Sequence, residues 1–142
     1  MGSRAKTEGG SVMRSFLMTW GNNAENAGGH LRGVDWSIVD QKLSEIFAVG
    51  GSVMLALEEE HETGPHSLEV LIEHDLYLLS LLEYLPDSSN VRSYTNLAGA
   101  GKMIEIGGNL WSDLLLCSDF SIVKNAFVEF FQTGDVSKDV LA

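Results

Sequence analysis

Between Val12 and Trp20 the apolar residues partly alternate, with Phe16, Met18 and Trp20 on one side, and Gly21-Asn22-Asn23 closes the run. Side chains of a strand point alternately to its two faces, so this pattern predicts a strand ending in a turn. Ala24 to Gly33, rich in Gly and Asn, is predicted to be a loop. The period then lengthens. Trp36, Val39, Leu43, Ile46 and Phe47 follow Asp35 at helical spacing, while Gln41, Lys42, Ser44 and Glu45 fall on the other side. Asp35 can accept a hydrogen bond from a free first-turn amide, and Gly50-Gly51 can end the helix with a glycine cap.

Strands are predicted next in close succession. Ser52 to Glu58 is the first, followed by an acidic loop from Glu59 to His66. In Ser67 to Glu73, Leu68, Val70 and Ile72 share one face, and Glu69, Leu71 and Glu73 share the other. His74-Asp75 joins this run to Leu76–Tyr84, as in a β-hairpin. The leucine content of that second run also allows a helix, but Tyr77, Tyr84 and the lack of a cap favour a strand. After a turn at Pro86–Asn90, short strands are predicted at Val91–Thr95 and Lys102–Ile106, separated by a small-residue turn at Asn96–Gly101. Beyond Gly107-Gly108, the segment Asn109–Cys117 fits either a strand or an irregular stretch. Asp119 then caps a final helix with an apolar stripe of Ile122, Val123, Ala126, Phe127, Phe130 and Phe131, ended by Gly134.

The resulting order, β-α-β-β-β-β-β-α, predicts an α+β domain. Consecutive strands with short links make a mainly antiparallel sheet of about five to six strands, with two amphipathic helices packed on one face. The chain of 142 residues suits one such domain, expected over residues 12–142. The opening MGSRAKTEGG lacks an apolar segment behind its basic residues, so residues 1–11 are expected to be a flexible leader and not a signal peptide.

Charge narrows the function classes. The net charge is −11, and between Glu58 and Asp75 stand seven acidic residues with no Lys or Arg. Nucleic-acid binding requires basic side chains to neutralise phosphates, so no nucleic-acid partner is expected, and an anionic membrane surface is disfavoured for the same reason. No apolar run approaches the roughly 18 residues of a spanning helix. A basic protein partner is permitted, with Glu58, Glu59, Glu60 and Glu62 the expected contact, although an acidic surface also serves solubility alone. The single cysteine, Cys117, cannot form an intrachain disulfide, which fits a reducing compartment and an expected cytoplasmic location.

Candidate chemistry is sparse. His61 and His66 lie near Glu58, Glu59, Glu60 and Glu62, where a divalent cation could find ligands. No zinc-type spacing is present, and Gly64-Pro65 breaks any regular presentation, so a solvated loop is the expectation and no metal or cofactor is assigned. Cys117 lies just before the last helix, where a thiol can be activated, but three preceding leucines favour a buried apolar role. No catalytic residue is assigned. Trp20, Trp36 and Trp111 are expected to anchor packing. An alternative is a small enzyme or ligand-binding protein using the Gly/Asn-rich loop with His30 and Trp20.

The runs Ile106-Gly-Gly-Asn-Leu-Trp111, Cys117-Ser-Asp-Phe-Ser-Ile-Val123 and Phe127-Val-Glu-Phe-Phe-Gln-Thr-Gly-Asp-Val-Ser137 resemble a family of small uncharacterised bacterial proteins. Thr19-Trp-Gly21, Gly28-Gly-His30 and Gly50-Gly-Ser-Val53 fit the same resemblance, which covers most of residues 19–141. In overall plan, and in Phe130-Phe-Gln-Thr-Gly134, the chain is also similar to immunity proteins that accompany deaminase-type toxins of bacterial competition systems. That similarity implies a non-catalytic protein that binds a cognate toxin and blocks its active site, and the charge balance makes the expected toxin a basic one. It transfers no contact residue, and an assembly of identical copies stays open.

Overall fold

The computed structural model describes residues 14–142. The expected leader, together with Val12 and Met13 of the expected first strand, lies outside the described residues. The elements run β1 (Phe16–Asn22), β2 (Ala27–Arg32), α1 (Trp36–Val49), β3 (Gly51–Leu57), β4 (Gly64–Glu73), β5 (Leu76–Leu85) and β6 (Ser88–Ser93). Then follow β7 (Met103–Ile106), β8 (Asn109–Ser112), a 3-10 turn (Asp113–Leu115), β9 (Leu116–Cys117) and α2 (Phe120–Thr133).

The α+β class and the antiparallel sheet are as the pattern predicts. Among the described residues, seven strands form the main sheet, in the order β9-β5-β4-β3-β1-β2, and β6 pairs with the remaining length of β5. The strand missing from the sequence reading is β2. The segment expected to be a Gly/Asn loop pairs with β1 from Leu17↔Arg32 to Asn22↔Ala27. Glycines give no strand signal, yet here they are required: a Cβ on Gly29 would stand 2.7 Å from the Trp20 ring. The Trp20 ring thus accounts for glycine at that position, a constraint that hydrophobic alternation does not register.

The helices start and stop as expected. Asp35 accepts from the Ile38 amide at 3.1 Å, and Asp119 accepts from the Ser121 amide at 2.9 Å. Gly50 and Gly134, at positive φ, donate their amides to Ile46 and Phe130 and close the two C-termini. Both helices cover one face of the sheet. Val39, Leu43 and Ile46 of α1, and Val123, Ala126, Phe127 and Phe130 of α2, share one core with the inward residues of the strands. These inward residues alternate as the pattern requires: Phe16 and Met18, Val53 and Leu55, Leu68, Val70 and Ile72, then Tyr77, Leu79 and Leu81.

Connections set the register. His74 and Asp75 have φ of 56° and 59°, the left-handed pair of a two-residue hairpin turn whose twist matches the strands. The Leu-rich β5 is a strand, paired with β4 from Gly64↔Tyr84 to Glu73↔Leu76. Asn109–Cys117, open between two readings, contains both: a short strand, a 3-10 turn and a two-residue bridge onto β5. The β7–β8 hairpin lies on the sheet face opposite the helices, where Ile106, Leu116 and Leu78 form a second small core. It covers only part of that face.

Candidate functional site

The region singled out by charge sits where β3 ends and β4 begins. Its glutamates have two different fates. Glu58 is engaged within the fold: its carboxylate accepts from Ser15 Oγ at 2.6 Å, the Gly33 amide at 2.9 Å and Arg32 Nη1 at 3.1 Å. The hydrogen bond from Ser15, followed by that from Gly33, holds this carboxyl below its ordinary value. Glu58 thus ties β3 to both ends of the β1–β2 hairpin. Glu59, Glu60 and Glu62 are exposed.

Beside them is a cleft of about 270 Å³, lined by Leu57, Glu58, Glu59, Glu60, His61, His66 and Tyr84. Local backbone features build it. The β4–β5 pairing passes from Pro65↔Glu83 directly to Ser67↔Leu82, so His66 is the extra residue of a bulge and its ring is re-aimed. Opposite Tyr84 stands Gly64, which has no side chain to cover the phenol ring. His66 stacks on Tyr84 with centroids 4.8 Å apart and planes at 23°, while His61 lies 5.3 Å from Tyr84 and 5.2 Å from His66. Three rings therefore meet at one place.

The imidazole nitrogens define what the cleft offers. His61 Nδ1 is 2.9 Å from the Glu59 carbonyl oxygen. A carbonyl only accepts, so Nδ1 carries the proton, and Nε2 of the neutral ring is a bare acceptor. That Nε2 is shielded from solvent and has no hydrogen-bond partner, and the same holds for His66 Nδ1. Burial pushes His66 below its ordinary value, and the adjacent His61 acts in the same direction. Among the described residues, no set of three or more His, Cys, Asp or Glu side chains is placed to hold a metal ion.

The surface continues from this cleft onto the open part of the sheet. Leu82, two residues from Tyr84 and so on the same face of β5, lines a neighbouring cavity of about 250 Å³ with Met54, Ser67, Glu69, Ser80 and Val91. Burial raises the Glu69 carboxyl above its ordinary value.

The other candidates separate. In the β1–β2 pairing His30 stands opposite Thr19, and Gly29 stands opposite Trp20. Neighbours along a strand face opposite sides, so the sheet divides His30 from Trp20. The Trp20 ring lies against Gly29 and under Lys42 Nζ, 4.4 Å from its centroid, where it anchors packing. Cys117 is buried in the main core, and that burial pushes its thiol above the ordinary value.

Residues 12–140 match the family model described as a family of unknown function, DUF6911. The chain belongs to this family. Its fold is shared with a hypothetical protein from Neisseria gonorrhoeae of known crystal structure, at a TM-score of 0.69 and 18% identity, over 87% of this chain and 91% of that one. At that identity the likeness concerns the fold alone. No curated protein matches the chain. The DUF6911 match embraces all the described strands and both described helices, including the runs Ile106–Trp111 and Cys117–Val123 on which the family resemblance rested. Among the described residues of this DUF6911 member, no helix is long and apolar enough to cross a membrane.

Tyr84, which lines the cleft, enters the sequence reading only as a strand former, and His61 and His66 enter it as part of a solvated loop, so that reading does not bring the three rings together. The available signal was Pro65 next to a strand. Proline cannot donate to a sheet ladder, so it marks an edge or a bulge.

Proposed function

We propose that this DUF6911 member is a non-catalytic protein-binding module that engages a basic partner through the 59–62 loop and the ring-floored cleft beside it. The observation that carries this reading is the placement of Glu59, Glu60 and Glu62. They are exposed at the cleft, in a segment without a Lys or Arg from Glu58 to Asp75, while Glu58 is spent on internal contacts. Such an edge attracts positive charge over a distance, and the concave aromatic floor supplies contact area on arrival. The open groove with Met54, Leu82 and Val91 extends the available surface.

The finer reading is an immunity protein that neutralises a cognate bacterial toxin, in keeping with the resemblance of its overall plan. Its site is then a docking surface and not a reaction centre, which agrees with the separation of His30 from Trp20 and the burial of Cys117.

The test begins with affinity capture from the source cell, followed by kinetics with the purified captured protein. Glu59→Lys, Glu60→Lys and Glu62→Lys together should slow association, most strongly at low ionic strength. An association rate indifferent to both the substitutions and salt would sink the acidic-contact reading. Co-expression tests the finer one: the wild-type chain should protect cells from the captured protein, and failure to protect removes the immunity role.

A further inference from the structure

We infer that the cleft between His61, His66 and Tyr84 receives an arginine side chain of the partner. The inference deepens the binding-module reading and rests on it. Three features of the cleft select a guanidinium. First, His61 Nε2 is a buried acceptor without a donor, because Nδ1–H is committed to the Glu59 carbonyl. An imidazole lone pair left in this state lacks a hydrogen bond it would have in water, so an incoming N–H is favoured. Second, the stacked His66–Tyr84 pair lines the cleft as an aromatic platform, and a planar cation can add to the outer face of that stack. Third, Glu59 and Glu60 line the same cleft with carboxylates exposed to solvent, which complete the charge pairing.

The alternatives fit less well. A lysine ammonium is a compact, strongly hydrated charge that cannot stack on the platform while it donates to His61 and a carboxylate. A transition metal would need more ligands than the two imidazoles supply, and no third His, Cys, Asp or Glu among the described residues converges with them. The unpartnered nitrogens are covered in the structure, so occupancy requires a small outward movement of the 59–63 loop. That loop is short and, apart from His61, exposed.

The full chain can be titrated with the capped peptide acetyl-Gly-Arg-Gly-amide, with its lysine and citrulline counterparts in parallel. Imidazole C–H resonances of His61 and His66 are the readout, and the exposed His30 and His74 serve as internal references. The arginine peptide should shift His61 and His66 saturably and leave His30 and His74 in place. The lysine peptide should bind more weakly, and the neutral citrulline peptide should cause no saturable shift. His61→Phe keeps a ring but removes the lone pair, and should weaken the arginine peptide about tenfold. Spectral dispersion in the same experiment reports whether each variant is folded.

Equal responses to arginine and citrulline, absence of a saturable shift, or an unchanged response in folded His61→Phe would each overturn the arginine assignment. Saturation of His61 and His66 by micromolar zinc chloride, with no response to the arginine peptide, would overturn it in favour of a metal. The arginine cleft and the binding module can fail independently. If His61→Phe leaves partner affinity unchanged while reversal at Glu59, Glu60 and Glu62 still slows association, the arginine cleft falls and the binding module stands.

Discussion

Arg92 donates from Nη1 to Asp135 Oδ1 at 3.0 Å, a contact across 43 residues that fixes the C-terminal segment to the sheet. Arg92 is 3% exposed, and its other nitrogens donate to the carbonyl oxygens of Leu141, at 3.1 Å, and Val136. Glu83 on β5 adds a carboxylate at 3.6 Å. One guanidinium thus satisfies two backbone carbonyls that Val136 and Leu141, both in the core, carry into the interior. Replacing Arg92 by Met should keep much of the volume and lose about 3–5 kcal/mol, since buried acceptors would be left without donors. Urea denaturation measures the loss. Limited proteolysis should also cut the variant first near residues 134–142. A variant as stable as the wild type would show that the C-terminal segment is held by apolar contacts alone.

Gly51 opens β3 with φ of 142°, and a Cβ built on it would stand 2.0 Å from the Gly21 carbonyl oxygen. The obstacle is backbone, so a side-chain rotation cannot relieve it. Gly51→Ala should cost at least about 3 kcal/mol, or prevent folding. Gly33→Ala is the control: its φ is 61°, and nothing lies within 4 Å of the added carbon. There only the left-handed backbone opposes alanine, at a cost of about 1–2 kcal/mol. Thermal melts of the pair should rank them in that order.

His66 links pH to stability. Its folded value lies below the ordinary 6.5, through burial first and the neighbouring His61 second. A group with a depressed folded value takes up protons more readily when unfolded, so stability rises with pH between the folded value and the unfolded one. His66 therefore contributes fully above the unfolded value, and the contribution declines as pH falls below about 6.5. The groups around its ring are His61, Tyr84 and the carboxylates of Glu58, Glu59 and Glu60. His66→Phe keeps the stack on Tyr84 and should flatten the fall in urea midpoint between pH 7.5 and 5.5. A parallel decline in both proteins would assign the pH dependence elsewhere.

Cys117 should be inert in the folded protein. It is 1% exposed, and burial raises its thiol above the ordinary value, so both access and thiolate content are low. A disulfide-exchange reagent at neutral pH should react only as fast as the protein opens. Addition of denaturant should release one thiol equivalent per chain. Rapid stoichiometric labelling under native conditions would contradict the core placement.

Much of the fold was legible because local and global demands agree along most of the chain. In β4 the alternation of Leu68, Val70 and Ile72 against Glu69 and Glu73 matches the buried and less buried faces of the strand. Asp35 and Asp119 announce helices whose first-turn amides they cap. The β2 strand was not legible, since glycines carry no hydrophobic signal and Gly29 is explained only by the Trp20 ring on the adjacent strand. The acidic segment was visible as charge, but its division was not. Glu58 is engaged within the fold by Gly33, Arg32 and Ser15, which lie 25, 26 and 43 residues away in sequence.

By itself, the sequence determined what repeats locally: the strand and helix periods, the helix caps, most of the apolar faces and the acidity of the 58–75 segment. Each depends on residues within a few positions of one another, where covalent geometry fixes which side chains share a face. Only the tertiary structure decided the cleft, because it depends on distance in space. A bulge turns His66, a hairpin pairing sets Gly64 against Tyr84, and a carbonyl of Glu59 fixes the His61 proton and leaves the far nitrogen bare. It also parted Trp20 from His30, which the sequence placed ten residues apart and the sheet placed on opposite faces.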